Sequence, residues 1–172
     1  MRTQQINVYQ YEELDEDAQQ RALEESRKDN DTSFLKEDMT DAAKHLLEEQ
    51  GYIVEDFNVF YSLNYSKGDG VCLTGRLTYK HEKGEDRLTL KHSGHYYHEN
   101  SFDVFIEPYD YELEDGEELD VLEKEHEEDL REICKKLEKY GYEYIEYENG
   151  EENFKEVCDI NEWEFTEDGE RY

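Results

Sequence analysis

The clearest pattern in the chain is a pair of alternating runs over residues 57–79, FNVFYSLNYSKGDGVCLTGRLTY. Phe57, Val59, Tyr61, Leu63 and Tyr65 alternate with mostly polar residues, and Val71, Leu73, Leu77 and Tyr79 do the same on the return. A period of two places each set on one face of a sheet. Lys67-Gly68-Asp69-Gly70 between them supplies the positive φ of a tight connection, so the stretch predicts a β-hairpin. Gly75 inside the second run predicts a bulge or a close approach by another element. Phe60, Cys72, Thr74 and Thr78 fall on the opposite, less apolar face. Alternation resumes over 87–92 through Leu88 and Leu90, and over 101–107 through Phe102, Val104 and Ile106. The sum is a four-stranded antiparallel meander over 57–107, ended by Pro108, which lacks a ladder donor.

Either side of the meander the period changes to that of a helix. Residues 5–10 read as a short strand with Ile6 and Val8 on one face. Leu14, Ala18, Ala22 and Leu23 share a helical face behind Asp15, a capping residue, and this helix should end near Lys28 at Asp29-Asn30-Asp31. A second helix starts at Thr32 or Ser33, carries Leu35, Met39, Ala42, Ala43, Leu46 and Leu47, and closes at Gly51. The longest helix runs over 116–140, with Leu119, Leu122, His126, Leu130, Ile133, Leu137 and Tyr140 three or four apart. Gly141 is expected to stop it after about 36 Å. Residues 142–147 then read as a strand, 151–159 as a short helix and 163–166 as a last strand. The order predicts one α+β domain over 1–172: an antiparallel sheet, the central meander plus C-terminal strands, packed by two N-terminal helices and one long acidic helix.

Charge changes the picture from fold to surface. The chain carries 49 acids against 19 bases, a net −30, and only 35% of its 172 residues are hydrophobic. That balance approaches disorder, but 15 Tyr, 7 Phe and one Trp supply enough ring area for a thin core. Residues 1–56 hold 16 acids and 6 bases, 57–100 hold 5 and 6, and 101–172 hold 28 and 7. The meander is therefore nearly neutral between strongly negative flanks. Such a surface repels nucleic acid and anionic membrane and steers basic surfaces inward. Halophilic adaptation is disfavoured, because Glu outnumbers Asp 33 to 16 and Lys is plentiful. Cys72, Cys134 and Cys158 form no C-x-x-C pair, which fits buried thiols in a reducing compartment. With no apolar run for a signal peptide or a bilayer span, the expected place is the cytoplasm.

The densest candidate chemistry is an acidic band. Between Glu107 and Glu132 stand 14 acids against Lys124 and Arg131. Asp110, Glu112, Glu114, Asp115, Glu117, Glu118 and Asp120 precede or open the long helix, and Glu123, Glu125, Glu127, Glu128, Asp129 and Glu132 follow on it. A solvated helix face would gain i,i+4 pairs from mixed signs, so a sevenfold acid excess needs another reason. Carboxylates strung along a rod resemble the phosphate array of a duplex, roughly one charge per 1.7 Å. Tyr109, Tyr111, Tyr96 and Tyr97 could anchor a partner that charge has steered in. Partner binding is accordingly assigned to Tyr109, Asp110, Tyr111, Glu112, Glu114, Asp115, Glu117, Glu118, Asp120, Glu123, Glu127 and Glu128.

Other chemistries fit less well. His92, His95 and His98 lie within seven residues and could hold zinc if a loop gathered them, but no second ligand pair stands at a recognisable spacing; no metal or other cofactor is expected. Asp110-x-Glu112-x-Glu114 fails as a calcium loop, with Asp115 where Gly is needed and Val121 at position twelve. No phosphate-binding glycine motif occurs, and among 49 carboxylates a close pair says nothing of acid–base catalysis. The chain reads as a binding protein, not an enzyme.

Three stretches carry a family likeness: Tyr11-Glu12-Glu13-Leu14-Asp15-Glu16-Asp17-Ala18-Gln19-Gln20-Arg21-Ala22, the hairpin residues Tyr61 to Val71, and Asn161-Glu162-Trp163-Glu164-Phe165-Thr166-Glu167-Asp168-Gly169. They resemble a group of small acidic bacteriophage and prophage proteins, some labelled antitoxin-like. Lys67 departs from the Gln more usual there before Gly-Asp-Gly. The resemblance brings no catalytic residues. It implies a phage context, in which proteins of this size and charge include anti-CRISPR proteins, DNA mimics and other inhibitors of host defence. The expected function is an anti-defence inhibitor that binds a basic, nucleic-acid-binding host protein, a CRISPR effector or a restriction enzyme. It would make no direct contact with nucleic acid or membrane, and a homodimer stays open. The alternative is an antitoxin-like or regulatory module that neutralises a basic toxin.

Overall fold

The computed structural model describes residues 6–28, 33–82, 84–109 and 116–172. They form two compact units, one of Ser33–Tyr142 and one made by the chain ends, Met1–Thr32 and Glu143–Tyr172. The elements are α1 (Glu16–Lys28), α2 (Ser33–Glu49), β1 (Tyr52–Ser62), β2 (Gly70–His81), β3 (Gly84–His92), β4 (Phe102–Tyr109), α3 (Gly116–Glu148) and α4 (Glu151–Ile160). The class is α+β, and the four strands make the expected antiparallel meander in the order β1-β2-β3-β4. Pro108 does not end β4. It pairs with Asp86 on the edge strand, where a missing donor costs the ladder nothing on its open side.

Cross-strand register sorts the sheet into two faces. Val59 faces Leu73, Leu77 faces Leu88 and Leu88 faces Ile106, and all are buried. This inner face is covered by α2, whose Leu35, Met39, Ala43 and Leu47 are buried, and by α3, whose His126, Leu130, Ile133 and Leu137 are buried. Gly51, at φ +91°, closes α2 by donating its N–H to the Glu48 carbonyl at 3.0 Å. The expected bulge is present. Register shifts between Val54 and Asp56, and Gly75 opposite sits at φ +124° with the Asp56 carbonyl where its Cβ would be. Only glycine fits that close approach.

The hairpin connection is built around one carboxylate. Asp69 accepts from the Asn64 N–H at 2.6 Å, the Ser66 N–H at 2.7 Å, the Ser62 hydroxyl at 2.8 Å and the Tyr142 hydroxyl at 3.0 Å. Burial pushes its pKa up, but the bonds from Ser66, Ser62, Asn64 and Tyr142 outweigh burial and hold it below the ordinary 3.8.

Helix α3 corrects the largest expectation. Gly141 does not stop it, and residues 142–147 are its continuation to Glu148, not a strand. A helical glycine costs about 1 kcal/mol against alanine. Here it is buried, and a Cβ would run into the Leu63 side chain and stand 3.3 Å from Met39 Sδ. Gly141 thus marks a close approach of the helix to Leu63 and Met39. Tyr140, expected in the apolar stripe, is instead 38% exposed.

The chain ends hold a smaller core of Tyr11, Leu14, Ala18, Ala22, Leu23, Phe154, Cys158 and Phe165. Asp15 caps α1 as expected, its Oδ1 accepting from the Ala18 N–H at 2.7 Å. The strands expected at 5–10 and 163–166 reduce to isolated bridges, Tyr9 with Phe165 and Phe165 with Arg171. Neither run is long enough to build a ladder once Tyr11–Glu13 turns into a 3-10 helix. The stretches Tyr11 to Ala22 and Asn161 to Gly169 meet here: Gly169 packs on the Ala18 carbonyl, and the Phe165 ring lies 6.1 Å from that of Tyr11.

Two substitutions test this account. Gly75→Ala should lower unfolding free energy by about 2–4 kcal/mol through strain and overpacking, whereas Gly94→Ala, which opens on empty space, should cost about 1–2 kcal/mol, both read by urea denaturation. For Asp69 the lowered pKa means that its ionised form contributes stability above the ordinary carboxylate value, lost as pH falls through the lowered one. Asp69→Asn should therefore be less stable than the parent at neutral pH and converge on it below about pH 4, measured as urea midpoints across an acid series.

Candidate partner-binding surface

The residues assigned above to partner binding divide between described and undescribed positions. Asp110, Tyr111, Glu112, Glu114 and Asp115 lie outside the described residues, and the side chains of Tyr109, Glu117 and Glu118 do too. The remaining four sit on α3 and do different things. Asp120 and Glu128 are exposed. Glu123 turns toward the sheet, where its Oε1 accepts the Ile106 N–H at 3.1 Å and closes a donor on the open edge of β4. Glu127 pairs with Arg131 at 2.5 Å, one turn on. Sequence could not separate these roles, because all four look alike without the direction of the core.

With the buried stripe at His126, Leu130, Ile133 and Leu137, the opposite side of α3 presents Glu125, Glu128 and Glu132. Asp120 and Asp129 are exposed beside them. Over 120–132 seven acids meet two bases, along about 18 Å of helix. Lys135 draws on the end of this array, 2.9 Å from Glu132, whose carboxyl it holds below the usual range. Acids near a helix N-terminus are favoured by the macrodipole only within the first turn, so four turns of them are not explained by the dipole.

A second cluster lies where the hairpin loop meets the β3–β4 loop. The Tyr97 ring stacks on Phe60 at 5.4 Å, Tyr65 lies 4.7 Å from Tyr142, and Tyr96 packs where a Cβ on Gly68 would fall. Tyr65 and Tyr96 are largely exposed. His92 Nε2 lies 3.1 Å from the Tyr96 carbonyl, and His98 Nδ1 accepts the Asn100 N–H at 3.0 Å. The histidines are thus spent on loop and ring contacts. No group of three or more His, Cys, Asp or Glu placed to hold a metal occurs among the described residues. Nearby, burial and then the Glu99 and Asp69 carboxylates push the Glu138 pKa up.

The buried chemistry was not legible. His126 Nδ1 is 2.9 Å from the Tyr52 hydroxyl, its Nε2 is 3.2 Å from Asp86 Oδ2, and His81 Nε2 is 3.4 Å from Asp86 Oδ1. Ionised Asp86 can only accept, so it fixes the proton of a neutral ring on Nε2 and leaves Nδ1 to accept from Tyr52. Burial first, then Asp129, Tyr79 and Asp86, push the Tyr52 pKa far up. His126 was visible as one polar member of an apolar stripe, but its partners stand 40 and 74 residues away.

No protein-family model, curated protein or solved structure matches the chain. Among the described residues no helix is long and apolar enough to cross a membrane.

The buried array should show itself in stability. Asp86→Ala leaves an imidazole proton without its acceptor and is expected to cost about 3 kcal/mol, while Tyr52→Phe removes one neutral bond and should cost about 1 kcal/mol, both measured by urea denaturation.

Proposed function

We propose that the protein is a phage-encoded inhibitor of host defence that binds a basic, nucleic-acid-binding host protein, a CRISPR effector or a restriction enzyme, through the outward face of α3. The observation that carries this reading is the row Glu125, Glu128 and Glu132, exposed and directed away from the core, with Asp120 and Asp129 alongside. With Glu123 and Glu127 engaged elsewhere, five carboxylates over about 18 Å is one per roughly 3.6 Å, near the roughly 3.4 Å spacing of charges along one strand of a duplex. The helix holds them on a rigid rod, so a Lys- and Arg-lined groove gains their attraction without ordering a flexible segment. The exposed rings of Tyr65 and Tyr96 offer apolar contacts on the same unit. The sequence likeness to acidic phage proteins supports the same reading.

Binding to a panel of purified host nucleases should weaken steeply between about 0.05 M and 0.5 M salt. Combined Glu125→Lys, Glu128→Lys and Glu132→Lys should reduce affinity about tenfold or more, equivalent to 1.4 kcal/mol, with an unchanged circular dichroism spectrum. Further reversals at Glu117, Glu118 and Asp120 should add to the loss. Salt-insensitive binding with silent reversals would sink the idea.

A further inference from the structure

The inner face of the sheet is covered by helices, whereas the outer face buries Cys72 and Thr78 but leaves Ile53, Phe60 and Phe105 exposed, and its chemistry differs from the rest of the chain. Register lays rows across all four strands: Ile53, Thr78, Arg87, Glu107 and, next to it, Asp56, Arg76, Thr89, Phe105. Ile53 and Phe105 are each 44% exposed, and Phe60, in the row shared with Cys72, is 38% exposed. Lys91 lies over the Phe105 ring at 4.8 Å, and Arg76 lies 3.9 Å from Asp56.

Charge on this face is balanced. Arg76, Lys80, Arg87 and Lys91 stand against Asp56, Glu85, Asp103, Glu107 and, at the bulge, Glu55, a net of −1 that leaves −29 for the remainder of the chain. The two signs interleave: Arg87 faces Glu107, Lys91 faces Asp103 and Lys80 faces Glu85 across the strands.

We propose that this outer sheet face is a self-association surface on which a second copy of the chain seats, sheet against sheet. A balanced face selects neither a strongly basic nor a strongly acidic partner. It does fit a partner with the same interleaved charges and the same exposed Ile and Phe, and a two-fold axis supplies that partner from the chain itself. On the outward side of α3 two copies would instead meet acid to acid. The footprint of eight residues on four strands is about 26 Å by about 19 Å, or roughly 500 Å2. A stable interface needs about 800 Å2 per partner, so the pairing is a weak dimer. Mutual repulsion of two −30 chains opposes it, and salt screens that repulsion. The dimer should therefore tighten with salt, the reverse of the response expected where α3 meets a basic protein. The inference does not rest on that reading, and either can fail alone.

Sedimentation velocity of the full chain, over a concentration series at about 0.05 M and about 0.5 M sodium chloride, tests it. The dimer fraction should rise several-fold at the higher salt. Phe105→Glu and, with the opposite charge, Ile53→Lys should each return the chain to monomer with an unchanged circular dichroism spectrum. Val121→Glu, on exposed α3, should leave the dimer intact. A monomer at every salt and concentration would overturn the proposal, as would a dimer that ignores both sheet variants. Binding of a labelled single-stranded oligonucleotide that Phe105→Glu abolishes would assign the face to nucleic acid instead and equally overturn it.

Discussion

Forty-nine carboxylates on 172 residues must stay in water while a thin apolar complement is brought together, and this constraint shapes every level of the molecule. A carboxylate buried without partners costs several kcal/mol, so the described acids other than Asp86 stay out of the core. Helices tolerate this best, because one stripe of Leu and Ile can hold a helix down while the other sides are all charge. In α3 the four residues His126, Leu130, Ile133 and Leu137 are buried, whereas Asp120, Glu125, Glu128, Asp129 and Glu132 are exposed. The sheet obeys a different rule: side chains on its outer face stand beside cross-strand neighbours, so opposite charges are set against each other across the strands, as in Lys91 with Asp103. The near-neutrality of the meander is thus a property of strands in a chain whose helices can carry the excess.

What the sequence made legible follows from which signals are local. The meander, α1 and α2 were all visible, since period, Asp15 at the cap and Gly51 at the end act within a few residues. The errors fall where a distant neighbour decides. Gly141 has the look of a terminator, yet Leu63 and Met39 demand a glycine in mid-helix. Residues 142–147 alternate like a strand, but they inherit the helix that Gly141 fails to break, and Tyr142 then reaches the hairpin loop at Asp69. Short runs at both chain ends had strand composition without partners long enough to make strands. On α3, equal-looking acids separated into Glu123, bound to the edge of β4, Glu127, bound to Arg131, and the outward row, a division fixed only by where the core lies.

Among the described residues Asp86 is the one buried carboxylate, 2% exposed, and two imidazoles meet it, one of them from α3. That choice suits a helix that must be held in a single rotation. A stripe of leucines alone slides by a turn at little cost, because one apolar contact replaces another. The pair His126–Asp86 does not slide, since a shift of one turn would leave a buried acceptor and a buried donor apart. At the far end of the stripe Gly141 admits Leu63 at one residue only, and the Tyr142 hydroxyl meets Asp69. These two fixed points are separated by sixteen residues, about 24 Å of helix. Together they set both the register and the rotation of α3 on the inner face of the sheet. The outward row of Glu125, Glu128 and Glu132 is therefore a consequence of polar contacts made on the opposite side of the same helix. Loosening His126 would blur the direction of the acidic face before it removed a single carboxylate from it.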